Sequence, residues 1–355
     1  MSSPILDTLA HRIRAAASAR TPLQIRAGGS KDFYGNPPRG EVLDPRAYTG
    51  IVTYEPTELV VTVRCGTPLA ELEATLDGER QLLAFEPPHF GARATVGGCV
   101  AAGLAGPRRA ANGPLSGAVR DFVLGAKLLD GRGQLLSFGG TVMKNVAGFD
   151  VSRLLAGSLG TLGLIIEVSL KVLPKPAVES TLRFELDEAS ALREVNRWAG
   201  QPLPVSATAW AGGVLHVRFS GAAAAVNAAR TTLGGTLLDD SDAAAFWRGN
   251  REQTNEWFAG DAPLWRLSLP STAAPIALAG TQLIEWNGAL RWLRSHAPVQ
   301  QIRARAQELG GHATLFRGGD RAAGVFAPLT PPIAAIHSRL KAEFDPAGIF
   351  NPGRM

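Results

Sequence analysis

Three glycine-rich loops in the first half of the chain limit its folding choices more than any other feature. They read RAGGSK from Arg26, ATVGGCVAAGLAG from Ala94 and NVAGFDVSRLLAGSLGTLG from Asn145. Glycine admits positive φ and lets backbone amides converge where a Cβ would intrude, which builds concave nests for phosphate oxygens. One such loop alone is a tight turn. Three in one domain imply an extended anionic ligand held largely by main chain.

The commonest nucleotide-binding signatures are not the ones present. No Gly-x-Gly-x-x-Gly follows a strand and opens a helix, since Gly157, Gly160 and Gly163 fall three apart, and no Walker loop occurs. A Rossmann dehydrogenase and a P-loop NTPase are therefore disfavoured. The formal charge of +5 comes from arginines scattered through Ala- and Gly-rich sequence, with Arg108 and Arg109 the tightest cluster. That scatter does not predict a nucleic-acid partner. Cys65 and Cys99 stand alone in apolar settings. They cannot ligate an iron–sulfur cluster or build a zinc site, and they read as small buried hydrophobes in a reducing cytoplasm. No metal site is expected.

At 355 residues, 45% of them hydrophobic, the chain has the length for two cores and the apolar material to fill them. The expected division is residues 1–176, residues 177–330, and a C-terminal helix and tail, 331–355, that returns to the first domain. The N-terminus predicts an amphipathic helix with Ile5, Leu9 and Ile13 at helical spacing, and neither a signal peptide nor a membrane span is expected anywhere. ELVVTVRCG alternates as a strand. TPLAELEATL then starts a helix, with Thr67 as N-cap and Pro68 at its first position. DFVLGAKLLDGRGQLLSF reads as a hairpin through Asp-Gly-Arg-Gly, and TLGLIIEVSLKVLPKP as a long strand stopped by Pro174 and Pro176. Past Pro176 strand and helix patterns alternate as in a second α+β domain, and the final helix places Ile333, Ile336, Leu340 and Phe344 on one face.

Taken in order, IRAGGSKDFYG, ATVGGCVAAGLAG, GAVRDFVLGAKLLDGRGQLLSFGG and KNVAGFDVSRLLAGSLGTLGLIIEVSLKVLPKP resemble the FAD-binding domain of the vanillyl-alcohol oxidase and D-lactate dehydrogenase superfamily. Within it the resemblance is to the small FAD-binding subunits of bacterial glycolate oxidases, and the tail FDPAGIFNPGRM extends it to the C-terminus. The resemblance implies an α+β, two-domain flavoprotein with a PCMH-type FAD-binding domain and a smaller α+β cap. It implies that Arg26, Ala27, Gly28, Gly29, Ser30 and Lys31 hold the FAD pyrophosphate. Thr95, Gly97 and Gly98 would approach the same phosphates and the ribityl chain. Asp150 and the run Gly157, Ser158, Gly160, Thr161, Gly163 and Ile165 would close around the nucleotide. In relatives with covalent flavin a histidine follows the double glycine; Ser30 stands there, so the FAD is expected to be dissociable.

The second domain departs from the larger catalytic relatives, in which histidine motifs orient a 2-hydroxy acid through a metal. AWAGGVLHV keeps His216 but places Ala209 and Gly212 where a His and an Asp would stand, and GGHATLFRGGD has Phe316 and Arg317 in place of a Glu-His pair. One histidine without partners makes a poor metal site. His216 then reads as hydrogen-bonded and structural, His312 and His337 likewise, and Trp247, Trp257 and Trp265 as core. Arg317 stays a candidate for bidentate contact with a carboxylate, with His216 the weaker catalytic candidate. The resemblance implies a larger FAD-binding subunit and an iron–sulfur subunit as partners, a small 2-hydroxy acid such as glycolate as substrate, and a cytoplasmic location, peripheral to the inner membrane through the partners. Two alternatives stay open: a stand-alone FAD-dependent 2-hydroxy acid dehydrogenase, and a flavin-fold scaffold without catalysis of its own.

Overall fold

The computed structural model describes residues 3–111, 117–141 and 150–355; Lys144–Phe149 of the third glycine-rich run lie outside them. The chain opens with α1 (Pro4–Ala19), which buries Leu9 and Ile13 as their spacing predicts. A short parallel pair follows, β1 (Leu23–Ile25) with β2 (Glu41–Leu43). Next come β3 (Ile51–Glu55), β4 (Val60–Arg64), α2 (Leu69–Gly78), β5 (Gln81–Leu82), α3 (Val96–Ala102), α4 (Val119–Phe122), β6 (Val123–Leu129), β7 (Leu135–Gly139), α5 (Val151–Leu154), β8 (Leu164–Lys171) and β9 (Leu173–Pro174).

Strands β3, β4, β8, β6 and β7 form an antiparallel sheet in that order, with β6 and β7 joined through the predicted Asp-Gly turn. Because side chains alternate across a strand, neighbours on β8 enter different cores. Ile165 meets α2 and α3, whereas Leu164 and Ile166 meet α1, and a register shift against β6 at this point carries Val168 into the α2 and α3 core.

A second antiparallel sheet holds eight strands: β10 (Val178–Glu185), β11 (Val205–Ala211), β12 (Val214–Gly221), β13 (Thr236–Leu237), β14 (Leu264–Ser268), β15 (Thr281–Glu285), β16 (Leu290–Arg294) and β17 (His312–Arg317). Helices α6 (Glu188–Ala199), α7 (Ala223–Leu233) and α9 (Val299–Glu308) bury apolar stripes against this sheet. Trp247 of α8 (Asp240–Glu252) packs on Ala207 and Ala209 of β11. Trp286, Trp292 and Phe316 join Tyr34, Ala102 and Leu104 in a core shared by both sheets' units.

One local expectation fails for a physical reason, and the final helix forms as expected but leaves most of its apolar face open. Helix α2 begins at Leu69 with Pro68 as its N-cap residue, because the Thr67 hydroxyl is already engaged, accepting from the Gly50 amide at 2.9 Å. In α10 (Pro331–Phe344) only Phe344 is buried; Ile333 and Ile336 are 43% and 51% exposed. The helix reaches the core with its last turn alone, so its apolar periodicity marks a face that is covered at one end only. The tail then returns to the first unit. The Leu23 amide donates to Ile349 O at 2.7 Å, and the Asn351 amide to Leu23 O at 2.9 Å.

Candidate cofactor-binding site

Arg26, Ala27, Gly28, Gly29, Ser30 and Lys31 turn off the end of β1 and line one groove with Thr95 and Gly98. Gly29 makes the turn at φ +70, and a Cβ there would lie 2.4 Å from the Arg26 guanidinium, so only glycine passes without displacing a charged group. From Ala27 to Lys31, five consecutive amides donate to no acceptor among the described residues. Gly28 is buried and the other four residues are half-buried, so these amides are open to a ligand or solvent, and a bent run of them is a ready anion nest.

Charge reinforces the nest. Lys31 Nζ reaches the His89 carbonyl at 3.2 Å and has no carboxylate partner among the described residues. Burial lowers its pKa, while the Cys99 thiol and Glu252 work in the other direction. A nearby anion would relieve that desolvation cost. Arg26 is held by Asp32 at the groove's edge. The hydroxyl of Thr95 accepts from the Gly98 amide at 3.3 Å and fixes the start of α3, while Gly97 lies beneath, where a Cβ would meet the Cys65 side chain at 2.6 Å.

The third glycine run packs on α3. Gly157 donates to Val100 O at 3.0 Å and Leu159 to Ala101 O at 2.8 Å, which carries Leu159 into the groove wall. The Ser158 hydroxyl turns to Leu155 O, and that of Thr161 to Ser158 O. A Cβ on Gly160 would meet Asn351 Nδ2 at 2.7 Å. Gly163 and Ile165 sit behind, against the first core, and Asp150 opens α5 in an ion pair with Arg153 at 2.8 Å. Sequence reasoning missed the tail as a wall. Asn351 accepts from the Ile25 amide at 2.9 Å and donates to Leu159 O at 2.6 Å, and Arg354 donates to Asp32 O at 3.0 Å. The Asn-Pro-Gly turn was the available signal.

At its Lys31 end the groove meets the seam between the two sheets. Phe33 contacts Phe90 at 5.4 Å and Phe316 at 5.3 Å, and Phe316 contacts Trp292 at 4.8 Å. Arg317 lies 4.6 Å from the Phe33 ring centre and donates to Gln253 Oε1 at 3.0 Å, with no ion pair among the described residues; burial lowers its pKa. His216 stands on β12, separated from β17 and Arg317 by β11, β15, β16 and β14, and stacks on Phe246 at 4.0 Å. The expected hydrogen bond is replaced by that ring contact, and burial together with Arg183 lowers its pKa to about 4. Arg317 and His216 are therefore not brought together. His312 and His337 are exposed, Trp247 and Trp265 are buried, and Trp257 packs on the shared core.

The seam is locked by charge. Glu86 accepts from Arg218 Nη2 and from the Arg108 amide, each at 2.9 Å. Burial alone would raise its pKa, but Arg218 and Arg108 overcome that and hold it at about 2. Trp286 Nε1 donates to Gly106 O at 2.9 Å, fixing the loop after α3 against the second sheet.

Residues 6–139 match the model of an FAD-binding domain family. Over 349 residues the chain is 50% identical to the glycolate oxidase subunit GlcE of Escherichia coli (strain K12), spanning 98% of this chain and 97% of that protein. The chain belongs to the GlcE family. It is also 29% identical over 180 residues to the glycolate oxidase subunit GlcD of Bacillus subtilis (strain 168), covering 50% of this chain and 37% of that one. Among solved structures, an alkyldihydroxyacetonephosphate synthase matches with a TM-score of 0.68 at 14% identity, over 98% of this chain and 76% of that one. That likeness speaks to fold alone and agrees with a PCMH-type α+β flavoprotein. The nest of free amides beside a half-buried lysine fits the FAD pyrophosphate that such a domain binds. No described helix is long and apolar enough to cross a membrane.

Proposed function

We propose that this chain is the FAD-carrying small subunit of a glycolate-oxidising complex. It works beside a larger flavoprotein subunit and an iron–sulfur subunit, in the cytoplasm and peripheral to the inner membrane through those partners. The single observation that carries the reading is the near full-length likeness to a glycolate oxidase subunit, realised here as a groove whose free amides and half-buried Lys31 suit a diphosphate. The working division is a FAD unit to residue 176, a cap over 177–330 and a tail, 331–355, that closes the groove.

Bound FAD would supply two-electron chemistry at its isoalloxazine. Residues 26–31 would bind the pyrophosphate, Thr95 and Gly98 its flank, and the segment from Gly157 with Asn351 the adenosine side. Lys31 and Ala102, which line the groove beside the seam, would flank the isoalloxazine end. Ser30, in place of a histidine, leaves the cofactor dissociable. The pocket at the seam, lined by Phe90, Leu104, Asn250, Arg266 and Glu285, offers about 20 Å³, room for a water but not for a 2-hydroxy acid. This favours electron transfer over substrate oxidation at this chain's own flavin. The unpaired Arg317 favours the second reading, oxidation of a carboxylate substrate here. Anaerobic addition of glycolate to the isolated, FAD-loaded chain separates them: a flavin spectrum that stays oxidised supports electron transfer, and bleaching supports the second reading.

A further inference from the structure

The pocket at the seam contains polar groups that the cradle does not use. Glu285, on β15, is 4% exposed. It accepts one hydrogen bond, from Trp292 Nε1 at 2.8 Å, and forms no ion pair among the described residues. Asn250 is 3% exposed, and its Nδ2 has no acceptor among the described residues, although its Oδ1 takes a bond from Asn255 at 2.6 Å. Arg266 lines the same pocket with neither a hydrogen bond nor an ion pair among the described residues; its guanidinium lies 5.3 Å from the Trp286 ring centre. A buried donor with no acceptor among the described residues and an under-used carboxyl group line the same pocket, whose space of about 20 Å³ leaves room for one water.

On the reading that FAD lies in the groove, this pocket adjoins it through Phe90, which lines the pocket and whose ring centre lies 5.7 Å from Nζ of Lys31 in the groove wall. We propose that Glu285 is the proton-uptake site of the seam, its carboxylate taking one proton from solvent through a water in this pocket when electrons arrive at the isoalloxazine. The step is a proton transfer only. An O–H bond forms on Glu285, the water gives up one proton and regains one from solvent, and the electron pair is supplied by the reductant. Coulomb's law supplies the coupling, because negative charge added in a low-dielectric seam favours the neutral form of a neighbouring carboxyl.

The surroundings suit a group that changes protonation. Burial pushes the Glu285 carboxyl up to about 7; the Trp292 N–H and Arg266 oppose that rise and Glu86 adds to it. Of the other charged groups facing it, Glu86 is neutralised by Arg108 and Arg218, and Arg251 of α8 is engaged by Glu252 at 2.9 Å. Arg266 is left as an unpaired cation facing Glu285, and Arg109, also without an ion pair among the described residues, shares the Trp286 ring with it.

The experiment is an equilibrium redox titration of the FAD-loaded chain across pH, with dithionite as reductant, for wild type and Glu285→Gln. FAD content is measured first; a wild type that retains no FAD refutes the cofactor reading itself. With FAD bound, the wild-type midpoint potential is expected to fall more steeply above neutrality, by an additional ~30 mV per pH unit, the tenfold-per-unit value for one proton shared by two electrons. In Glu285→Gln, where the side-chain amide oxygen still accepts from Trp292, that additional slope disappears. Superimposed wild-type and variant curves overturn the proposal. A reduced-minus-oxidised infrared spectrum of the wild type needs no variant: a deuteration-sensitive carboxylic C=O band gained on reduction supports proton uptake, and its absence overturns it.

Discussion

Replacing Glu86 by glutamine tests how the two units are held together. The substitution keeps shape and one acceptor oxygen but removes the charge that faces Arg218 and Arg108. Glu86 is held at about 2 against an ordinary 4.5. At 1.36 kcal/mol per unit, that difference places the charged network's contribution at about 3 kcal/mol, within the range of roughly 3–5 kcal/mol for breaking a buried ion pair from one side. The sign follows from linkage. The unfolded carboxyl takes a proton below its ordinary value while the folded one resists until about 2, so the stabilisation is present above 4.5 and lost as pH falls through that interval. Urea unfolding at neutral pH, followed by fluorescence of the seam tryptophans, should show Glu86→Gln less stable by ~2–4 kcal/mol. The variant's stability should also lack the wild type's acid-side fall. A variant within about 0.5 kcal/mol of wild type, the scatter of ordinary surface changes, would refute the view that this network locks the seam.

Three further outcomes follow from the groove and the cap. Gly29→Val forces a β-branched residue into the left-handed region and a Cβ against the Arg26 guanidinium, so flavin retention should be lost while far-UV circular dichroism is unchanged. Equal flavin content in variant and wild type would count against the pyrophosphate assignment. Asn351→Ala removes the bonds that tie the tail to Ile25 and Leu159. It should weaken FAD affinity by roughly 5–30-fold, the equivalent of one or two hydrogen bonds, as read by flavin fluorescence titration. His216 is lowered to about 4 from 6.5, so folding favours its neutral form, and stability present above 6.5 is lost as pH falls towards 4. His216→Phe should keep the contact with Phe246 and flatten that acid-side loss in a thermal melt; an unchanged pH profile would remove the argument.

The groove was readable in the sequence because main chain makes it. Glycine spacing reports backbone shape directly, and so the RAGGSK bend was legible, whereas the second glycine-rich segment, expected as a loop, forms α3 with Thr95 as its N-cap. The tail was harder to place, because Asn351 and Arg354 act through contacts with residues more than 300 positions earlier, which no local pattern encodes. Ile333 and Ile336 show the converse limit, since helical periodicity identifies an apolar face without saying what covers it. Glu285 and Asn250 were invisible for a different reason. A lone Glu in a strand and a lone Asn in a helix become a polar pocket only when two units close over them.

The central claim is that this chain holds FAD non-covalently through the amides of residues 27–31. The most direct test is to saturate the purified chain with FAD, remove free cofactor by gel filtration, and measure flavin absorbance before and after denaturing the protein. The account predicts FAD equimolar with protein, all of it released on denaturation, and none retained by Gly29→Val. A chain that retains no flavin after reconstitution, or one whose flavin stays attached to the denatured protein, would contradict it.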